Sequence, residues 1–175
     1  MRLSRVLLVF LTLTAGWFDR TSAQESGIAV GAQAPVVTVN DLDGKPVDLG
    51  QYIGKKPVFL EFWATWCELC EELQPQVRAA QAAYGSKVEF IGVNVTVNQS
   101  PQRVRKYLET HKPGFRTLYD TEGTSIRAYK VPATSYVVIV DRAGKVAYTG
   151  SGGTQDFERV LRTVTQDQST PAGMK

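Results

Sequence analysis

Only two cysteines, one histidine and two methionines occur in the 175 residues. A structural zinc site takes about four nitrogen or sulfur ligands, which Cys67, Cys70 and His111 are too few to provide. A disulfide scaffold is excluded as well. A bridge between two cysteines three positions apart closes so short a loop that it removes little entropy from the unfolded chain. Charge of one sign is also missing, with 20 Lys and Arg against 17 Asp and Glu. Arg2, Arg5 and Arg20 against Asp19 account for most of that small excess, so no basic surface is left for a nucleic acid. No apolar run reaches the roughly 20 residues of a membrane-spanning helix, and there is no internal repeat or low-complexity stretch. What is present, 43% apolar and 21% charged residues, is the composition of an ordinary globular protein. The length suits a single domain able to bury its own core.

The N-terminus is built differently from the rest. Arg2 and Arg5 precede the apolar run Val6 to Ala15, and Thr21-Ser22-Ala23 follows with small residues where a signal peptidase reads. Residues 1–23 are therefore expected to be an export signal, cleaved there or, with Trp17 and Phe18 lengthening the run, kept as an N-terminal anchor. Residues 24–33 are expected to be a linker, 34–166 the folded domain and 167–175 a flexible polar tail.

Within the domain, Val36 to Leu49 alternates around Asp43-Gly44, a pair that favours a two-residue hairpin turn. Val58 to Trp63 is apolar on both faces except at Glu61, the pattern of a central strand. Leu69, Leu73, Val77, Ala80 and Tyr84 then recur at helical spacing, with Pro75 expected to kink the helix. Val88 to Val95 predicts a second buried strand, and Ser100-Pro101 supplies a cap and first residue for another helix along Val104, Tyr107 and Leu108. A strand at Phe115 to Tyr119, a short helix at Thr124 to Tyr129, strands at Tyr136 to Val140 and Lys145 to Tyr148, and a helix capped by Thr154 complete the chain. The order implies an α/β fold, a mixed central sheet flanked by helices on both faces.

The chemistry sits in Cys67-Glu68-Leu69-Cys70. Thiolate, not thiol, attacks a disulfide, and the predicted start of a helix at Cys67 supplies unpaired N–H groups and a dipole that favour an anion. Cys67 is thus the attacking residue, and Cys70, one turn in, the one that resolves the mixed disulfide. Trp66 shields the exposed sulfur. Glu61, on a two-sided apolar strand, is expected to have a raised pKa suited to proton exchange near neutrality. Reaching solvent or pairing with Lys55 or Lys56 is the alternative. Glu68, Glu71 and Glu72 crowd the helix start with negative charge, which opposes the thiolate and disfavours a strongly oxidising couple.

The block Glu61-Phe62-Trp63-Ala64-Thr65-Trp66-Cys67-Glu68-Leu69-Cys70, with Pro75 five residues beyond, resembles the active-site segment of the thioredoxin superfamily. The N-terminal hairpin, the added helix and strand from about Gln99 to Tyr119, and Val131-Pro132-Ala133-Thr134 resemble its exported TlpA-like branch. The resemblance implies a thioredoxin fold with an N-terminal β-hairpin and an inserted helix-strand. It also implies a cofactor-free, monomeric thiol-disulfide oxidoreductase working outside the cytoplasm on protein thiol clients, such as apocytochrome c or copper proteins, with electrons from a membrane thiol donor. It implies that Glu61 relays the proton of the second cysteine, that Pro132 is cis and faces the motif, and that Val131 pairs through its backbone with the client. Two departures stand out: Leu69 replaces the proline usual before the second cysteine, and Leu73 replaces a glutamate that some exported relatives carry.

The remaining features have plainer readings. His111, at a helix end, offsets the helix dipole, a copper-ligand role being the alternative. Thr65-Trp66-Cys67 lacks the proline and threonine of a peroxiredoxin site. Gly150 to Gly153 lacks the lysine of a phosphate loop and is expected to be a flexible turn.

Overall fold

The computed structural model describes residues 27–166. The expected export segment, residues 24–26 of the expected linker and the tail 167–175 lie outside them. The domain opens on a hairpin of β1 (Thr38–Asn40) and β2 (Pro46–Asp48). Its loop runs from Asp41 to Lys45 rather than through a two-residue turn. The Asp41 carboxylate accepts from the backbone N–H of Asp43 at 2.8 Å and of Lys45 at 2.9 Å and holds the longer loop closed.

There follow β3 (Val58–Trp63), α1 (Glu68–Tyr84), β4 (Glu89–Asn94), α2 (Pro101–Thr110), β5 (Arg116–Tyr119), α3 (Thr124–Ala128), β6 (Tyr136–Val140), β7 (Val146–Ser151) and α4 (Glu158–Gln166). The strands form one seven-stranded mixed sheet in the order β2-β1-β5-β4-β3-β6-β7. β3 lies between a parallel β4 and an antiparallel β6 and is buried along its whole length. Among the described residues, no helix is long and apolar enough to cross a membrane.

Strand alternation divides the core. Phe59, Val137 and Ile139 pack beneath Leu73 and Val77 of α1 and Phe157 and Leu161 of the C-terminal segment. Leu60, Phe62, Val138 and Val140 pack on the opposite face with Leu118, Tyr129 and Ile28. α1 continues as one helix through Pro75, and Ser100 caps α2 by accepting from Arg103 N–H, with Pro101 at the first helical position.

Two boundaries differ from expectation. Residues 27–33 are not a free linker: Ile28 N–H donates to the Tyr136 hydroxyl at 3.1 Å, and Gly31 N–H to the Val146 carbonyl at 2.7 Å. Gly27 is required where this segment docks, because its φ is +118° and a Cβ there would meet the Tyr136 hydroxyl. α4 starts at Glu158, three residues later than a Thr154 cap would place it. Gln155 holds the intervening chain in a turn, its side-chain amide donating to the carbonyls of Ser135 and Gly152 while its own N–H donates to Gln76.

Candidate active site

The chain leaves β3 at Trp63, turns through Ala64 to Trp66, and enters α1 with Cys67 at the N-cap. The Cys67 backbone is extended, and its Sγ accepts from the Cys70 N–H at 3.1 Å. That is the bond a serine or aspartate cap normally makes. A sulfur held there shares the Cys70 N–H with the Cys67 carbonyl, also at 3.1 Å, and meets the positive end of the helix dipole, both of which favour the thiolate. Cys67 and Cys70 are bonded to each other, with Cα atoms 5.2 Å apart.

The loop between β4 and α2 braces this turn. Gln99 accepts from Thr65 N–H at 3.1 Å, and Trp66 donates its ring N–H to the Val97 carbonyl at 2.8 Å. Trp66 remains 46% exposed, beside Leu69 at 48% and Val97 at 58%. An open apolar cleft of about 210 Å³ runs from Trp66 along Val95 and Val97 to Ile126, Val131 and Pro132. α3 delivers its far wall through its C-terminal turn. Lys130 N–H bonds the Arg127 carbonyl and Val131 N–H the Ile126 carbonyl, with Lys130 left-handed at φ +51°. This is a Schellman closure that sets Val131 against Ile126.

The expected cis bond before Pro132 is absent: every peptide among the described residues is trans. The chain turns instead at Lys130 and at Ser135, which has φ +63°. The hydrogen bonds from this loop to the motif come from Ser135. Its N–H donates to the Phe62 carbonyl at 2.9 Å, and its hydroxyl lies 3.3 Å from the Leu69 carbonyl and 2.8 Å from that of Gly152. The glycine run is therefore tied to Ser135 rather than being a loose turn, since Gly152 N–H also donates to the Ser135 carbonyl.

Glu61 faces the α1 side of the sheet, like Phe59 two residues earlier. It is fully buried, and burial raises its pKa from 4.5 to about 8, against a smaller lowering by a hydrogen bond from Gln74. That bond, from the Gln74 side-chain N–H to Glu61 Oε2, measures 3.4 Å. The alternative partner Lys56 pairs with Glu89 instead. Glu68 and Glu71 occupy the first turn of α1, while the Glu72 side chain lies against Gly153. His111 caps the end of α2, its ring stacked on Tyr107 with centroids 4.0 Å apart, away from the apolar cleft.

Sequence reasoning missed three residues of this neighbourhood. Gln74 was detectable as a polar residue four positions after Cys70, on the buried stripe of α1. Gln99 and Ser135 act across long chain separations and leave no local signal.

A redox-ready cysteine pair capping the helix that follows the central strand of such a mixed sheet defines a thioredoxin-fold thiol-disulfide oxidoreductase. The chain belongs to the Redoxin family, whose profile matches residues 29–164. It is 33% identical over 164 residues to a thioredoxin-like protein of Bacillus subtilis, YneN, across 91% of this chain and 95% of that one. It is 30% identical over 164 residues to the thiol-disulfide oxidoreductase ResA of Geobacillus thermodenitrificans, across 91% and 92%. Among solved structures, it resembles a DsbE thiol:disulfide interchange protein of Chlorobium tepidum with a TM-score of 0.67 and 26% identity, over 80% of this chain and 97% of that one.

Proposed function

We propose that the protein is an exported disulfide reductase in which Cys67 attacks, Cys70 resolves and Glu61 takes the proton. The observation that carries this reading is the Cys67 sulfur at the N-cap of α1, beside the open apolar cleft at Trp66. In the reduced protein, the Cys67 thiolate displaces one sulfur of a client disulfide, which leaves as a thiolate and is protonated from water. Cys70 then gives its proton to the ionised form of Glu61. Its thiolate attacks Cys67 Sγ, expels the second client sulfur, and restores the Cys67–Cys70 disulfide. Two electrons pass to the client. A membrane thiol donor would return the protein to the dithiol.

Trp66, Val131 and Pro132 are the client-binding residues in this reading. The cleft they line is open and apolar, the surface that apolar residues flanking the client's cysteine would seek. Clients of the apocytochrome c or copper-protein class fit an extracytoplasmic reductase, and the leader-like residues 1–23 support export. The reductive direction rests on Glu68 and Glu71 in the first helical turn, whose charge limits how far the Cys67 thiolate is stabilised.

The roles are tested with a peptide carrying an internal disulfide flanked by apolar residues. Cys70→Ser should accumulate a mixed disulfide through Cys67, visible as an added mass, whereas Cys67→Ser should not. Trapping by Cys67→Ser alone would reverse the assignment.

A further inference from the structure

Among the described residues, five buried side-chain atoms have no hydrogen-bond partner: Glu61 Oε1, Trp63 Nε1, Gln74 Oε1, Asn94 Oδ1 and Thr117 Oγ1. They belong together. Glu61 is in register with Gly92 and through it with Thr117, and Trp63 is in register with Asn94. Residues in register share a face, so these four side chains point to the side of the sheet that α1 covers, where Gln74 meets Glu61. Buried polar atoms left unpaired cost free energy, and clusters of them are where internal water is held.

Gln74 also has a second surroundings. With Glu71, Arg78, Tyr107 and His111 it lines a cavity of about 430 Å³ between α1 and α2. That cavity shares no lining residue with the apolar cleft at Trp66. Tyr107, whose hydroxyl is pushed up to about 12 by burial and then by Glu71 and Glu61, closes it against Trp63, with ring centroids 5.4 Å apart.

We infer that Gln74 is the positioning residue of the proton exchange: it holds the Glu61 carboxyl, and the cavity between α1 and α2 is where Glu61 trades its proton with bulk water. This rests on the reading of Glu61 as the proton acceptor for Cys70. Resolution delivers one proton to Glu61 and re-reduction of the disulfide returns one to Cys70, so Glu61 changes protonation state twice per cycle, and any exchange with bulk water needs an opening that reaches it. A client seated along the Trp66 cleft leaves the α1–α2 cavity uncovered. Proton release and client release thus use different openings, so the Glu61 carboxyl can be reset while a client is still bound. The titratable and charged groups that line this route are Glu71 and Arg78 from α1, and Tyr107, His111 and Lys112 from α2 and its end. β4 and β6 present only Gly92 and Val137 beside Glu61.

The experiment compares the wild type with Gln74→Met, reading the rate of mixed-disulfide resolution against pH and the infrared carboxyl band of Glu61. Gln74 donates to the ionised carboxylate, so its loss should move the Glu61 midpoint and the resolution profile to higher pH. A one-unit displacement slows resolution about tenfold at pH 7 and leaves it unchanged at high pH. The initial attack by Cys67 should be unaffected, and His111→Gln in both backgrounds separates any contribution of that imidazole. If Gln74→Met does not fold, Gln74→Asn, one methylene too short to reach Glu61, should give the same displacement. A lowered melting temperature with the pH profile and carboxyl midpoint unmoved would overturn the inference. A wild-type resolution profile in Glu61→Gln would instead overturn the underlying role of Glu61.

Discussion

Glu61 is the residue at which the proposed proton exchange and stability conflict. The unfolded chain releases its proton near pH 4.5, whereas the folded protein keeps it up to about pH 8. Between those values the folded state binds the extra proton. The stability it contributes is fully present below 4.5 and is lost as pH rises through about 8. Each unit of displacement is worth about 1.4 kcal/mol, so Glu61→Gln should stabilise the protein by several kcal/mol at pH 8 and flatten the fall in melting temperature across that window. Calorimetry from pH 4 to pH 9 checks this. An unchanged pH dependence would mean that Glu61 ionises freely. The carboxylate was legible as buried from six residues of strand pattern, but its Gln74 partner came into view only with α1 laid over the sheet.

At the level of elements, the site depends on close approaches between segments distant in the chain. Gly92 of β4 lies under Phe115, and a Cβ there would clash with the ring. Gly92→Ala should cost about 1–3 kcal/mol by denaturant unfolding, the usual range for forcing atoms into a packed core. Ser135→Ala removes the hydroxyl that reaches the Leu69 and Gly152 carbonyls, and should cost about 1 kcal/mol. It should also speed reaction of the CxxC disulfide with small thiols by loosening the Leu69 turn, which a stopped-flow assay would read.

These elements also mark how far the sequence could be read. β3, β6, α2 and its Ser100-Pro101 start were legible because periodicity, caps and proline are local signals. The hairpin loop was misjudged because an Asx turn at Asp41 outweighed the Asp43-Gly44 pair. The start of α4 was misjudged because Gln155 takes its partners from Ser135, Gly152 and Gln76. The trans bond at Pro132 was hidden because Ser135, a residue type with no preference for positive φ, takes the left-handed conformation. The cysteine pair and Trp66 were legible, while the braces that hold them, Gln99 and Ser135, were not.

For the whole molecule, export and direction of electron flow are linked, since an oxidising compartment keeps disulfides formed and a reductant there must be recharged. If residues 1–23 are cleaved after Ala23, mass spectrometry of the exported protein should show a chain beginning at Gln24. The direction of flow is decided by the Cys67–Cys70 reduction potential, measured by equilibrating the purified protein against dithiothreitol and glutathione buffers and trapping its thiols. With Glu68 and Glu71 at the start of α1, the potential should lie near the reducing value of thioredoxin, about −270 mV. A potential near that of the strong disulfide-forming oxidants, about −120 mV, would contradict the assignment of the protein as a reductase.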